Sequence, residues 1–253
     1  MSLRREDAVT TIYYPESDGK PMAETDLHAQ LIIDLRFALK EFFRDDPDVY
    51  VSGNLLLYYV EGDPRKSVAP DVFVVRGAGK RPRRVYKLWE EKLPPNVVFE
   101  ISSSETWKED LQRKWQLYAQ IGVKEYFIFD PEYTYLKEPL LAYRLKKGQL
   151  AQLKVVGGRV HSAELGLDVI DTGETLRLFD PKAERFLPTE AEVLEARRTE
   201  AETRQQAEEA FRRAEKAHTE EAEARRRAED EVARLRRELE MLRQQISSER
   251  KSR

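Results

Sequence analysis

Apolar residues recur at helical spacing from Leu27 through Leu31, Ile32, Leu35 and Leu39 to Phe42, which predicts an amphipathic helix over residues 23–44. Thr25 or Asp26 stands where its N-cap is expected. The period then changes. Residues 50–60 and 67–75 are rich in Val, Leu, Tyr and Phe and predict two strands, with Gly53 and Asn54 as a bulge or bend in the first. The sequence E-G-D-P-R-K between them is a turn by composition, so the two strands should form an antiparallel hairpin.

The stretch that organises the chain is residues 96–131. Val97, Val98, Phe99 and Ile101 form one dense apolar run and residues 123–129 another, as expected of strands covered on both faces. A helix between them implies parallel pairing. It should open at the S-S-S-E cluster, capped by Ser102, Ser103 or Ser104, and close at Gly122. At about 100° per residue, Trp107, Leu111, Leu117, Tyr118 and Ile121 share one side of the wheel, and Lys114 falls among them. Asp110 lies at the edge of that stripe. An inward lysine needs a negative partner, and Glu100, interrupting the first strand, is the natural one. The plainer reading is a surface Asp110–Lys114 pair with the lysine snorkelling.

Further on, residues 140–145, 152–156 and 176–179 predict short antiparallel strands between Gly-rich turns, completing the domain near Pro188. Residues 77–92 read as a basic loop in which Lys80, Arg81, Arg83, Arg84 and Lys87 are interleaved with Tyr86 and Trp89. That is either solvated surface or a loop facing nucleic-acid phosphate. From Glu190 onward there is no Pro or Gly. Val232, Leu239 and Ile246 alternate with Ala228, Leu235 and Leu242 as a heptad seam, while His218, Glu221 and Arg225 interrupt the same frame earlier. A coiled coil and a single charged helix both fit.

Composition sharpens this division. Aromatic residues lie almost wholly before residue 190, which leaves a flexible segment 1–20, a globular domain 21–188 and a charged helical tail 189–253. The net charge of −3 gives no general attraction to polyanions, so nucleic-acid binding would need a local basic patch or a bound metal. With no cysteine, disulfides and thiolate metal sites are excluded. No apolar run approaches a membrane span and the first residues lack the apolar core of a signal peptide, so the expected location is cytoplasmic, without a membrane.

Candidate chemistry is carried by Asp71, which opens a strand after Pro70, by Glu100 and by Lys114. Two carboxylates suit Mg²⁺ or Mn²⁺, and an adjacent ammonium can orient attacking water and offset developing charge. Taken singly, Asp71 reads more simply as the end of a turn. Glu24 and His28, four apart at the start of the first helix, could reach a metal or could form a surface pair compensating the helix dipole.

At P-D-V-F-V-V, V-V-F-E-I-S-S-S-E-T and D-L-Q-R-K-W-Q-L-Y-A-Q-I-G-V-K-E-Y-F-I-F-D-P the sequence resembles the Uma-two family of restriction-endonuclease-like proteins, a branch of the PD-(D/E)XK nuclease superfamily. The resemblance covers roughly residues 20–188. It implies an α/β (α+β) fold with a mixed sheet flanked by helices, and Asp71, Glu100 and the backbone carbonyl of Ile101 as metal ligands. The superfamily's lysine, two residues after the acid, is replaced by Ser102, and Lys114 on the following helix matches its migrated form. Asp110, Ser102, Glu24 and His28 are accessory candidates. The resulting expectation is a metal-dependent DNA endonuclease, dimerised through its coiled coil. The alternatives are a nuclease-fold module that does not cut and binds nucleic acid or protein, and a globular cap on a tail that is itself the partner-docking or oligomerising element.

Overall fold

Val97–Ile101 (β6) and Glu125–Phe129 (β7) run parallel and in register, Val97 opposite Glu125 and Ile101 opposite Phe129, and every residue of both is buried. In the computed structural model, which describes residues 12–17, 19 and 25–251 with side chains through 241, this pair forms the centre of a six-stranded sheet. Its order is β1 (Val49–Ser52), β4 (Val72–Arg76), β6, β7, β8 (Leu140–Lys146) and β9 (Gln149–Gln152). All its other pairings are antiparallel. The architecture is mixed α+β, as expected.

Each face of that sheet has its own core. On one side Val72, Val74, Phe99 and Phe127 meet Leu31, Ile32, Leu35 and Leu39 of α1 (Asp26–Phe42), together with a second sheet. Thr25 caps α1 through the His28 amide. On the other side Phe73, Val75, Val98 and Ile128 meet Leu117 and Tyr118 of the helix that joins β6 to β7. A strand covered on both faces has no use for alternation, which is why these sequences read as continuous apolar runs.

Three expectations about the fold need correction. The long hairpin is broken in both arms: β2 (Leu57–Tyr58) and β3 (Ser67–Val68) leave the main sheet and join β5 (Tyr86–Lys87) in a small one. The break lies at Gly53, where a Cβ would stand 2.2 Å from the Asp71 carbonyl oxygen, and at Asn54, which takes φ 51° and donates its amide to Pro70 at 2.9 Å. The supposed basic loop contains β5 and a short helix, α2 (Leu88–Glu91). The predicted strand 152–156 is displaced to β9, and residues beyond it form a four-stranded antiparallel sheet of β10 (Arg159–Ser162), β11 (Leu167–Asp171), β12 (Leu176–Asp180) and β13 (Arg185–Phe186). Of these only β12 matches a predicted strand.

Gly53→Ala tests the break. The added methyl meets main-chain oxygen, which cannot swing aside as a side chain would, so stability should fall by about 1–3 kcal/mol in urea titration. Unchanged stability would show that the two arms are not pressed together there.

The second sheet is tied to the first through Glu125, fully buried on β7. Its Oε1 accepts from Arg144 Nε at 2.9 Å and from the Ala163 amide at 3.0 Å, and its Oε2 accepts from the Ser162 hydroxyl and from the Glu164 amide at 3.4 Å. A buried carboxylate is tolerated because it is met by this many donors.

The chain falls into two compact units, the first ending at Glu192 and the second beginning at Val193. The second consists of the rest of α5 (Glu190–Lys251). Ion pairs four residues apart, such as Arg198–Glu202 and Arg225–Glu229, line its surface and support an isolated helix. Val232, Leu235 and Leu239 are about half exposed on it. Leu242 and Ile246, the rest of the predicted seam, lie outside the described side chains. No helix among the described residues is long and apolar enough to cross a membrane.

Candidate active site

Pro70 ends the broken arm and hands the chain to β4 with Asp71 at its mouth. The β4–β6 register, Val72 opposite Phe99, sets Asp71 at the rung of Glu100. Asp71 Oδ2 accepts the Ile101 amide at 2.7 Å, so the first acid is fastened to the strand that bears the second. Ile101 thus enters the site through its N–H. His28, buried in the first turn of α1, brings Nε2 to 3.6 Å from the same oxygen. Glu24, its proposed companion, lies outside the described residues.

Glu100 is buried, and both its oxygens are engaged: Lys114 Nζ donates to Oε2 at 2.9 Å and the Tyr118 hydroxyl donates to Oε1. Lys114 therefore faces inward, its side chain 12% exposed. Its ammonium also lies 2.9 Å from Asp110 Oδ1, and Asp110 is wholly buried. Asp110 Oδ2 accepts from the Ser102 hydroxyl at 2.9 Å. This gives Ser102 a different task from the cap expected of it. The helix begins only at Trp107, with no side-chain cap, and the amides of Thr106 and Trp107 turn back to the Ser103 carbonyl.

The helix itself changes character at the site. After α3 (Trp107–Glu109), residues Asp110–Lys114 form a widened π turn before α4 (Trp115–Ile121) closes on Gly122 at φ 90°. Such turns are rare and cluster at functional sites. A regular wheel leaves Asp110 at the edge of the apolar stripe; the widened turn brings it fully inside.

Electrostatically this is a crowded place. Burial pushes the Glu100 carboxyl well above the usual range, against the pull of Lys114 and with help from Asp71 and Asp110. Asp110 is likewise raised by burial, against Lys114. For Lys114, burial favours the neutral amine, but Glu100, Asp110 and Asp71 outweigh it and the ammonium is held more firmly than usual. One cation facing three carboxylates leaves an excess of negative charge. Protons or a divalent cation must offset it. Among the described residues no three Asp, Glu or His side chains stand as a closed metal-binding group. Mg²⁺, however, is commonly held by one or two carboxylates plus water and substrate phosphate. The hard oxygens of Asp71 and Glu100, with this excess charge, fit such an ion.

The basic residues are placed less simply. Lys80 donates to the carbonyls of Phe43 and Arg44 at 2.6 Å, at the end of α1. Arg83 is turned inward: its side chain is 1% exposed, it pairs with Glu91 through both carboxylate oxygens, and it lies over the Tyr50 ring. It braces the segment and is not available to a phosphate, contrary to the expectation for it. Arg81 shares Glu91, Arg84 meets Glu16, and Lys87 meets Glu90 at 2.9 Å.

Residues 10–172 match the family model of Uma2, described as "Putative restriction endonuclease". The chain belongs to the Uma2 family. The Uma2 match takes in Asp71, Glu100, Asp110 and Lys114 and stops before β12, so the helical tail lies outside it. Among solved structures the chain is similar to one titled as a "putative nuclease belonging to DUF820" from Anabaena variabilis ATCC 29413, at 14% sequence identity and a TM-score of 0.44, covering 58% of this chain and 76% of that one. None of the curated proteins matches it.

Two residues of this Uma2 site escape a reading of the sequence: Tyr118, on Glu100, and Tyr126, whose hydroxyl donates to the Asp110 carbonyl at 3.1 Å. Both look like ordinary core aromatics. The usable signal is that a buried tyrosine hydroxyl needs an acceptor, and Tyr118 follows Lys114 by one turn on the stripe that faces Glu100.

Proposed function

We propose that this protein is a metal-dependent DNA endonuclease whose working residues are Asp71, Glu100 and Lys114. The observation that carries the reading is the inward Lys114 ammonium on Glu100, beside an acid fastened to the same strand. A bound Mg²⁺ or Mn²⁺, held by Asp71, Glu100 and the Ile101 carbonyl, would supply Lewis-acid polarisation of the phosphodiester and a more acidic water. Lys114 would orient the attacking water and offset the negative charge that grows on the phosphoryl oxygens as one P–O bond forms and another breaks. The Ile101 amide and the Tyr118 hydroxyl hold the two acids still, so little reorganisation remains for the reaction itself. Incubating purified protein with supercoiled plasmid tests this: nicking should require Mg²⁺ or Mn²⁺ and stop on chelation. DNA binding without cleavage under either ion would leave a non-cutting, nucleic-acid-binding module.

The tail is read as a self-pairing helix that dimerises the nuclease, because Val232, Leu235 and Leu239 continue into the Leu242 and Ile246 of a heptad seam. Each large side chain buried there gains roughly 1.5–3 kcal/mol, against an association cost of several kcal/mol. The full chain should therefore sediment as a dimer at micromolar concentration, and Leu235→Glu with Leu239→Glu should return it to monomer. A monomeric wild-type chain would leave the stripe to another protein.

A further inference from the structure

The widened turn Asp110–Lys114 is fastened at its first residue from two directions. The Tyr126 hydroxyl, from the neighbouring strand, donates to the Asp110 carbonyl at 3.1 Å, and the Ser102 hydroxyl donates to the Asp110 carboxylate at 2.9 Å. The other carboxylate oxygen faces Lys114 Nζ at 2.9 Å. Tyr126, Ser102 and Asp110 are all buried. Tyr126 is further held by Tyr118, ring edge to ring face at 5.0 Å, and Tyr118 in turn holds Glu100.

We infer that Asp110 is the positioning residue for Lys114, and that Tyr126 and Ser102 position Asp110. The role assigned to Lys114 rests on the nuclease reading above; the fastening itself does not. A lysine on a helix has four rotatable bonds and a strong pull toward water. Glu100 alone fixes it from one side and is itself claimed as a metal ligand. A second carboxylate, to which the nuclease reading assigns no metal, keeps the ammonium in place when Glu100 shares its charge. Ser102 stands one residue beyond β6, and its buried hydroxyl steadies the acid that steadies Lys114. The widened turn is the part that makes this reach possible, since it sinks Asp110 below the surface at which a regular helix would leave it.

The test is the protection of Lys114 from an amine-acylating reagent in the full chain, read by peptide mass spectrometry against exposed Lys137, for wild type, Asp110→Asn and Tyr126→Phe. Losing a close charged contact of this kind corresponds to roughly a tenfold rise in the exposed population. Lys114 labelling should therefore rise about that much in Asp110→Asn and by a smaller factor in Tyr126→Phe. Circular dichroism and melting temperature, checked first, should remain near wild type in at least one of the two. Where the protein nicks DNA, turnover should fall in both variants with KM for DNA and Mg²⁺ affinity unchanged. Lys114 protection unaltered in both variants overturns the inference, whatever the cleavage assay shows. Raised labelling in a chain that cuts nothing supports the fastening and counts against the nuclease reading instead.

Discussion

Asp71→Asn and Glu100→Gln are each expected to abolish Mg²⁺-dependent cleavage while leaving the fold intact. The reason for the mild effect on folding is that both replacements keep an acceptor where one is needed. The amide oxygen of an asparagine in place of Asp71 can still take the Ile101 N–H, and that of a glutamine in place of Glu100 can still accept from the Tyr118 hydroxyl or the Lys114 ammonium. What they lose is charge, and with it the hard anionic oxygens that a divalent cation requires. Lys114→Ala removes a stabiliser of developing charge and no metal ligand. Its turnover should fall by about 10²–10³-fold with Mg²⁺ affinity retained. Nicking rates under single-turnover conditions, with calorimetric Mg²⁺ titration of each variant, separate these outcomes. Cleavage at the wild-type rate by Asp71→Asn would move the active site elsewhere.

The second large effect concerns stability. Lys114→Met keeps the length of the side chain and deletes its charge, leaving Glu100 and Asp110 buried without a cation between them. Removing one partner of a buried ion pair typically costs about 3–5 kcal/mol. Here the cost should depend on pH in a stated direction. Burial raises both carboxyls above their ordinary values of 4.5 and 3.8, and loss of Lys114 pushes them further the same way. An acid whose folded pKa is raised contributes stability that is present below its unfolded pKa and lost as pH rises through the folded one. The deficit of Lys114→Met should therefore be small near about pH 4.5, where protons neutralise the acids, and full near about pH 8. Urea titrations at both ends measure it. A deficit independent of pH would mean that the lysine acts through packing alone.

The central unit was open to reading because its physics is local. Two fully buried strands, a helix stopped at Gly122 and a lysine among apolar positions are all patterns within one stretch of sequence. The pairing of Lys114 with Glu100 follows from burial cost once both are known to face inward. The widened turn is different, since a wheel with a fixed period cannot show a change of period, and so Asp110 reads as an edge residue. The bend at Gly53 and Asn54 is legible from its residues, but that it splits the hairpin between two sheets is not: that depends on how near Asp71 passes, a contact across the hairpin. Composition also misjudged Arg83, because a run of basic residues says nothing about Glu91, whose carboxylate turns that arginine inward.

Glu125 has a bearing on how the first unit comes apart. A sheet formed of four short strands, β10 to β13, would by itself be a region of low local stability, opening on its own and exchanging its amide hydrogens early. Its first strand and the turn after it are instead clasped by a carboxylate on the most deeply buried strand pair of the molecule. Releasing the small sheet would take the Ser162, Ala163 and Glu164 donors from that carboxylate, leave it Arg144, and uncover the apolar side chains of β6 and β7 that the small sheet covers. The two sheets are thereby made thermodynamically one body: amides of β10 and β11 should be protected to nearly the same free energy as those of β6 and β7, and the floor beneath the acids does not loosen piece by piece.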